Sequence, residues 1–306
     1  MSGPKRRAKV SGWISRQGAW QRVFIFLGLL AIAWVPIAAP IYWLGYTFGY
    51  SNITEIVALV LLYAGFLWGL PRWGSQVHRW PQPLSRYGLF WDSRTARQLL
   101  TALAIGLLGV LALFGIETLL GWATPTTPSP KLARFVLEGL LMALAVGFAE
   151  EALFRGWVLT ELEKNYSATA ALVMNAVFFA ATHFIKPWPE IVRTFPQFLG
   201  LVILGMALVW ARRSSLPGKS PDRDQTSKLG CGLSYPIGLH AGLIWGYYIV
   251  NVGGLSEYTG QVPEWVTGID ENPLAGLLGL ILLGAIASQF AKTAQPKAQP
   301  APALKP

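Results

Sequence analysis

Charge is what this sequence has least of. Of its 306 residues 13% are charged and 53% hydrophobic, with a mean hydropathy of +0.43. A soluble domain of this size carries about 25% charged residues, so half that fraction cannot cover a water-facing surface. Its one cysteine, Cys231, excludes an internal disulfide. Histidine is scarce as well, with His78, His183 and His240 the full set. No HExxH pattern demands zinc. No nucleic-acid motif accompanies the net charge of +10, so nucleic acid is not an expected partner. The basic segment Lys5–Arg22 runs into a long apolar stretch without a convincing cleavage site, which reads as a retained first helix rather than a signal peptide.

What the chain does have is long apolar runs. A spanning helix needs roughly 20 mostly apolar residues. Candidates are Val23–Tyr46, Ile56–Leu70, Leu99–Trp122, Leu132–Glu151, Ala168–Phe184, Gln197–Ala211, Pro236–Val252 and Leu274–Ala291. Their apolarity is continuous, where strands of a membrane barrel alternate over about 10 residues. The expected fold class is therefore all-α, a polytopic transmembrane helical bundle of about eight spanning helices, with membrane lipid as its surroundings. Of the 25 Lys and Arg residues, 21 fall in alternate segments starting with the N-terminus. The positive-inside rule then puts both termini in the cytoplasm. The expected organisation is a basic arm (1–22), N-terminal spans (23–122), a core (132–252) containing a polar loop (212–235), a last span (274–291) and a disordered tail (292–306).

Ionisable groups inside spans cost at least about 2.5–3.5 kcal/mol each and mark functional sites by default. Glu117 and Glu138 lie near helix ends, where they could reach the interface or pair helices. His78 falls in a basic loop. The remaining group is different. Glu150 and Glu151 follow a complete apolar span, and Glu151 stands four residues before Arg155, the favourable order for a helical ion pair. Glu150 points about 100° away around the helix and lacks that partner. Partial desolvation of an unpaired glutamate suits it to general-base work. His183 closes Phe179-Ala180-Ala181-Thr182-His183, and His240 lies in Leu239-His240-Ala241-Gly242. If the fourth and fifth spans turn near Asn165–Ser167, Glu150 and His183 are 16 and 17 residues from the tip and share one depth. His240 must then arrive from the seventh span. With simple spans it would enter near the inner end and His183 near the outer end, so joining them requires tilted or protruding helices.

The pattern Glu150-Glu151-x-x-x-Arg155, then Phe179-x-x-x-His183, then His240 in a late helix, resembles the motifs of the CPBP family. That family comprises type II CAAX prenyl endopeptidases and bacteriocin-processing or self-immunity membrane proteins. The resemblance covers roughly residues 132–252, and the glycines of Phe198-Leu199-Gly200 and Gly205 are similar to its small-residue helix. It implies an intramembrane endopeptidase acting on a membrane-tethered or CAAX-type peptide or protein. Glu150 would activate a water, His240 assist, and His183 stabilise the oxyanion. Glu150, His183 and His240 also match the three-ligand pattern of catalytic zinc. The residues leave both mechanisms open, with no cofactor required by the first. Where the family commonly has Asn or Asp four residues after the last histidine, this chain has Ile244. The neighbouring Trp245 could substitute through its indole N–H. That departure keeps a non-catalytic scaffold or immunity protein as an alternative. A proton-coupled transporter is another, though the paired repeats of many transporters are missing. Oligomeric state is not legible.

Overall fold

The computed structural model describes residues 4–92, 94–214 and 232–294. Most of the expected polar loop 212–235, including Cys231, and nearly all of the expected tail 292–306 lie outside the described residues. The main helices are α1 (Pro4–Ser15), α2 (Ala19–Thr47), α3 (Ser51–Val77), α4 (Thr95–Leu119), α5 (Leu132–Leu162), α6 (Ala168–Thr182), α7 (Trp188–Thr194), α8 (Gln197–Ser214), α9 (Ser234–Asn251) and α10 (Leu277–Thr293). Each of the eight apolar runs coincides with one of them. Strands β1 (Ala123–Pro125) and β2 (Ser256–Tyr258) pair antiparallel, with Thr124 opposite Glu257. Nothing in the hydropathy pattern anticipates that small clasp.

Apolar side chains facing outward are the mark of a lipid solvent. Ile32, Ile56, Leu108 and Leu141 sit on four different helices and are all exposed. Among the described residues four helices are long and apolar enough to cross a membrane: α2, α3, α4 and α5. The number becomes five if α7 and α8, bent 73° from each other, count as one broken span. At 15 and 17 residues, α6 and α10 fall short of the usual length. The protein is thus a helical membrane bundle, and the expected eight crossings go beyond what helix length alone establishes. Pro36, Pro40 and Pro71 lie inside α2 and α3, a placement that membrane helices tolerate when neighbours satisfy the freed carbonyls.

Small residues decide how the helices pack. Helix α9 is wedged between α4 and α5, and α8 between α6 and α10. A Cβ on Gly238 would stand 2.2 Å from Leu99 O, and one on Gly242 would stand 2.2 Å from Leu103 O. The α4–α9 approach is therefore closed to any larger residue at these positions, the small-residue packing that lipid-embedded helices favour. It fixes the depth and rotation of α9, and so of His240, which lies between the two glycines. Gly205 does the same for α8 against α6, where an added Cβ would meet Ala176 Cα at 2.8 Å.

The expected arm contains α1, and Arg22 at its end belongs to α2 with 2% of its surface exposed. His78, just past the end of α3, is not free in its loop: its side chain is 2% exposed and its Nε2 lies 2.6 Å from Glu161 Oε1. Both residues serve one buried carboxylate near the end of α5, a long-range pairing that local sequence cannot announce.

Candidate active site

Four helices supply the polar groups. Glu150, Glu151 and Arg155 lie on α5, His183 caps the C-terminus of α6, His240 lies on α9, and Gln197 opens α8. Helix α5 is unusual within this stretch. Residues Ala152–Val158 widen into π-helix, and the Leu159 N–H reaches back five residues to Phe154 O. Such widenings concentrate at functional sites. Asn175 Nδ2 donates to the same carbonyl at 2.8 Å, bracing α6 against the widened turn. Sequence reasoning missed Asn175. Its signal was an amide inside an apolar run, a group that costs free energy unless hydrogen-bonded.

Glu150 and Glu151 diverge as their positions on the helix require. Glu151 is fully buried, and its Oε1 accepts Arg155 Nη1 at 2.8 Å and His240 Nδ1 at 2.9 Å. Arg155 is also fully buried, lying 4.2 Å over the Phe179 ring. The ion pair is therefore more than a local helix staple, because it holds the imidazole of another helix. Glu150 keeps 25% of its side-chain surface open and His183 keeps 34%. Glu150 Oε2 is buried without a hydrogen-bond partner among the described residues, and two imidazoles face it: His183 Nε2 at 3.9 Å and His240 Nε2 at 4.0 Å.

The tautomers follow from the outer hydrogen bonds. A carbonyl only accepts, so the 2.8 Å contact of His183 Nδ1 with Phe179 O puts the proton on Nδ1. The Glu151 carboxylate, already paired with Arg155, takes the Nδ1–H of His240 in the same way. Both rings are then oriented by their Nδ1 sides and turn Nε2 towards Glu150. Phe179 packs edge-on to both, with ring centroids 4.6 Å from His183 and 6.0 Å from His240.

The three groups open into a cavity of about 330 Å³ whose wall includes Gln197, Leu204, Ile244, Tyr247 and Asn272. Ile244 thus lies where an additional polar group would meet the site. Trp245 does not replace it: its Nε1–H donates to Val136 O at 2.9 Å and it is not part of the wall. The polar side chains that do reach the cavity, Gln197, Tyr247 and Asn272, were not singled out from sequence. His183 caps α6, which stops after 15 residues and is shorter than the usual span.

Glu117 and Glu138 stay apart from this centre. Glu138 pairs with Arg134 on the surface at 2.6 Å. Glu117 does not reach an interface. It is fully buried and accepts a hydrogen bond from Tyr258 OH at 2.9 Å.

Zinc would draw its ligands closer than they stand. With bonds of about 2.0–2.1 Å, two tetrahedral ligand atoms lie roughly 3.4 Å apart. The Glu150 oxygen lies 3.9 and 4.0 Å from the two nitrogens. Among the described residues no group of three His, Cys, Asp or Glu side chains is arranged to hold a metal. The donors as placed do not fit the metal.

Residues 132–256 match the family model of Rce1-like type II CAAX prenyl endopeptidases. The matched segment contains every residue of the cluster and supports the CPBP resemblance; a peptidase embedded in a membrane is what that family implies. No curated protein matches the chain, and no solved structure does.

Proposed function

We propose that this protein is an intramembrane endopeptidase for membrane-tethered or CAAX-type substrates, working through a water activated by Glu150. The observation that carries this reading is the convergence of two Nε2 atoms, at 3.9 and 4.0 Å, on a carboxylate oxygen that has no hydrogen-bond partner among the described residues. A water making contacts of about 2.8 Å to both partners spans such a gap at an angle near 90°. The family match over the same segment supports the reading.

In the proposed reaction Glu150 takes a proton from this water as its oxygen attacks the scissile carbonyl. The C–O bond forms, the carbonyl becomes an oxyanion, and Glu150 then returns the proton to the departing amine nitrogen as the C–N bond breaks. His240, held through its Nδ1–H by Glu151, orients the water. His183 enters the reaction doubly protonated, with its Nδ1–H on Phe179 O and a second proton, taken up from solvent through the open cavity, on Nε2, which it donates to the oxyanion as a hydrogen bond. Removing such a donor costs roughly 2.7–4 kcal/mol of transition-state stabilisation. Eight crossings and cytoplasmic termini are part of this proposal.

The test is cleavage of a membrane-tethered peptide by the purified wild type and Glu150→Ala side by side. Cleavage by the wild type and none by the folded variant is expected; equal cleavage by both defeats the reading. Activity should also survive chelation. Loss on chelation with recovery on adding stoichiometric zinc would replace the metal-free route. Ile244 in the cavity wall favours one second reading, a non-catalytic scaffold or immunity protein of the same fold. On that reading Glu150→Gln keeps the cellular phenotype.

A further inference from the structure

A larger cavity lies among the first three helices. About 920 Å³ in volume, it runs between α1, α2 and α3 and shares no residue with the wall around Glu150. Its interior is apolar, lined by Phe26, Leu29, Leu30 and Ala33 on one side and by Gly65 and Gly69 on the other. Its polar lining is confined to Ser11, Arg72 and Gln76. Arg72 is exposed, its guanidinium lies 3.6 Å over the Trp68 ring, and one N–H donates to Trp68 O at 2.6 Å. Among the described residues no carboxylate pairs with it. Helix α1, which closes this side of the cavity, carries the exposed Lys9.

An exposed indole stands in the wall of this cavity: Trp68 on α3 is 63% exposed. Tryptophan concentrates at the headgroup boundary of a bilayer, and a basic helix with an apolar side lies along that boundary.

We propose that this cavity is a binding site for an anionic phospholipid. The phosphate is held by the Arg72 guanidinium fork, and an acyl chain fills the apolar channel between α2 and α3. The choice of occupant rests on charge complementarity. An apolar channel alone would accept any lipid chain, whereas an exposed arginine that no carboxylate among the described residues neutralises selects a negative headgroup.

The lipid also touches what braces the reactive helix. Phe26 in the channel wall lies 4.7 Å from Trp157 in the π-helical turn, and Trp73 in the same wall donates its Nε1–H to Glu161 Oε1 at 2.9 Å. An occupied channel supports both contacts from behind. This inference is independent of the hydrolytic reading, since it requires only the membrane bundle.

The experiment is native mass spectrometry of the detergent-purified full chain, delipidated and then titrated with phosphatidylglycerol or phosphatidylcholine, alongside thermal unfolding under the same conditions. The wild type should retain a phosphatidylglycerol adduct and gain thermal stability from it, with weaker retention and a smaller gain from phosphatidylcholine. Arg72→Gln should weaken phosphatidylglycerol retention about fivefold, the worth of one cationic contact with an anionic lipid. Ala33→Trp, which fills the channel at an exposed position, should reduce retention of both lipids while the chain stays folded. Equal retention of the two lipids by the wild type would overturn the proposal, as would unchanged phosphatidylglycerol binding in both variants. A dimer mass in place of a lipid adduct would assign the face to a second copy of the chain.

Discussion

Two glutamates on the same helix, one near its middle and one at its end, show what separates a structural carboxylate from a reactive one. Glu161 is fully buried and saturated: Oε2 takes Arg22 Nε at 2.7 Å, while Oε1 takes Trp73 Nε1 at 2.9 Å and His78 Nε2 at 2.6 Å. Those partners come from α2 and α3, so Glu161 joins the N-terminal hairpin to the rest of the bundle. Glu150 has charged and aromatic surroundings too, but its Oε2 is left unpaired beside a cavity and two imidazoles stop at 3.9 and 4.0 Å. Saturation consumes hydrogen-bonding capacity in holding the fold. The unfilled capacity at Glu150 is available to a water or a substrate.

The comparison breaks most decisively if the two residues behave alike. Glu150→Gln should lower peptidase turnover by about 10²–10⁴-fold, the usual worth of a general base, and leave the unfolding transition in place. Glu161→Ala should do the reverse. It strands Arg22 in the interior and should destabilise the protein by about 3–5 kcal/mol, read by thermal unfolding, while the molecules that remain folded keep cleaving. His183→Ala comes next, with turnover reduced by about 10²–10³-fold and substrate affinity largely retained. Glu151→Gln tests whether the second glutamate acts through His240. The expected effect is a smaller drop than for Glu150→Gln, confined to kcat, with an altered pH profile that a purely structural role would leave alone.

The smallest effect concerns the exposed clasp outside the spans. Arg193 reaches Asp270 at 2.5 Å and Glu190 at 2.7 Å, tying α7 to the loop that brings Asn272 to the cavity. The hydrogen bond from Arg193 holds the Asp270 carboxyl below its ordinary value. A carboxyl depressed on folding contributes stability above its unfolded pKa of about 3.9, and that contribution fades as pH falls through the lower folded value. Amide exchange in residues 264–275, corrected for its intrinsic pH dependence, should quicken only in that acidic window and also respond to salt. No response to acid or salt would remove the clasp from the account.

Much of the centre was legible because its members are expensive. A glutamate pair and two histidines within or beside apolar runs demand an explanation, and the i,i+4 relation of Glu151 to Arg155 gave a local geometric reason to separate the two carboxylates. The hydrogen bond from His240 to Glu151 was not legible, since it joins residues 89 positions apart. Arg22 and His78 were read as parts of basic segments, because sequence shows a charge and not the buried carboxylate that neutralises it. Gln197 and Asn272 gave no warning, being ordinary polar residues beside helix ends.

The sequence by itself determined the solvent of this protein and the residues available for chemistry. Long uncharged runs can satisfy their backbone only as helices in lipid, and a costly ionisable group inside them needs a reason to be there. Tertiary structure decided which carboxylate is spent and which is left open. That distinction depends on where other helices place their donors, and glycine contacts such as Gly238 on Leu99 O fix this placement across distances that no local pattern spans.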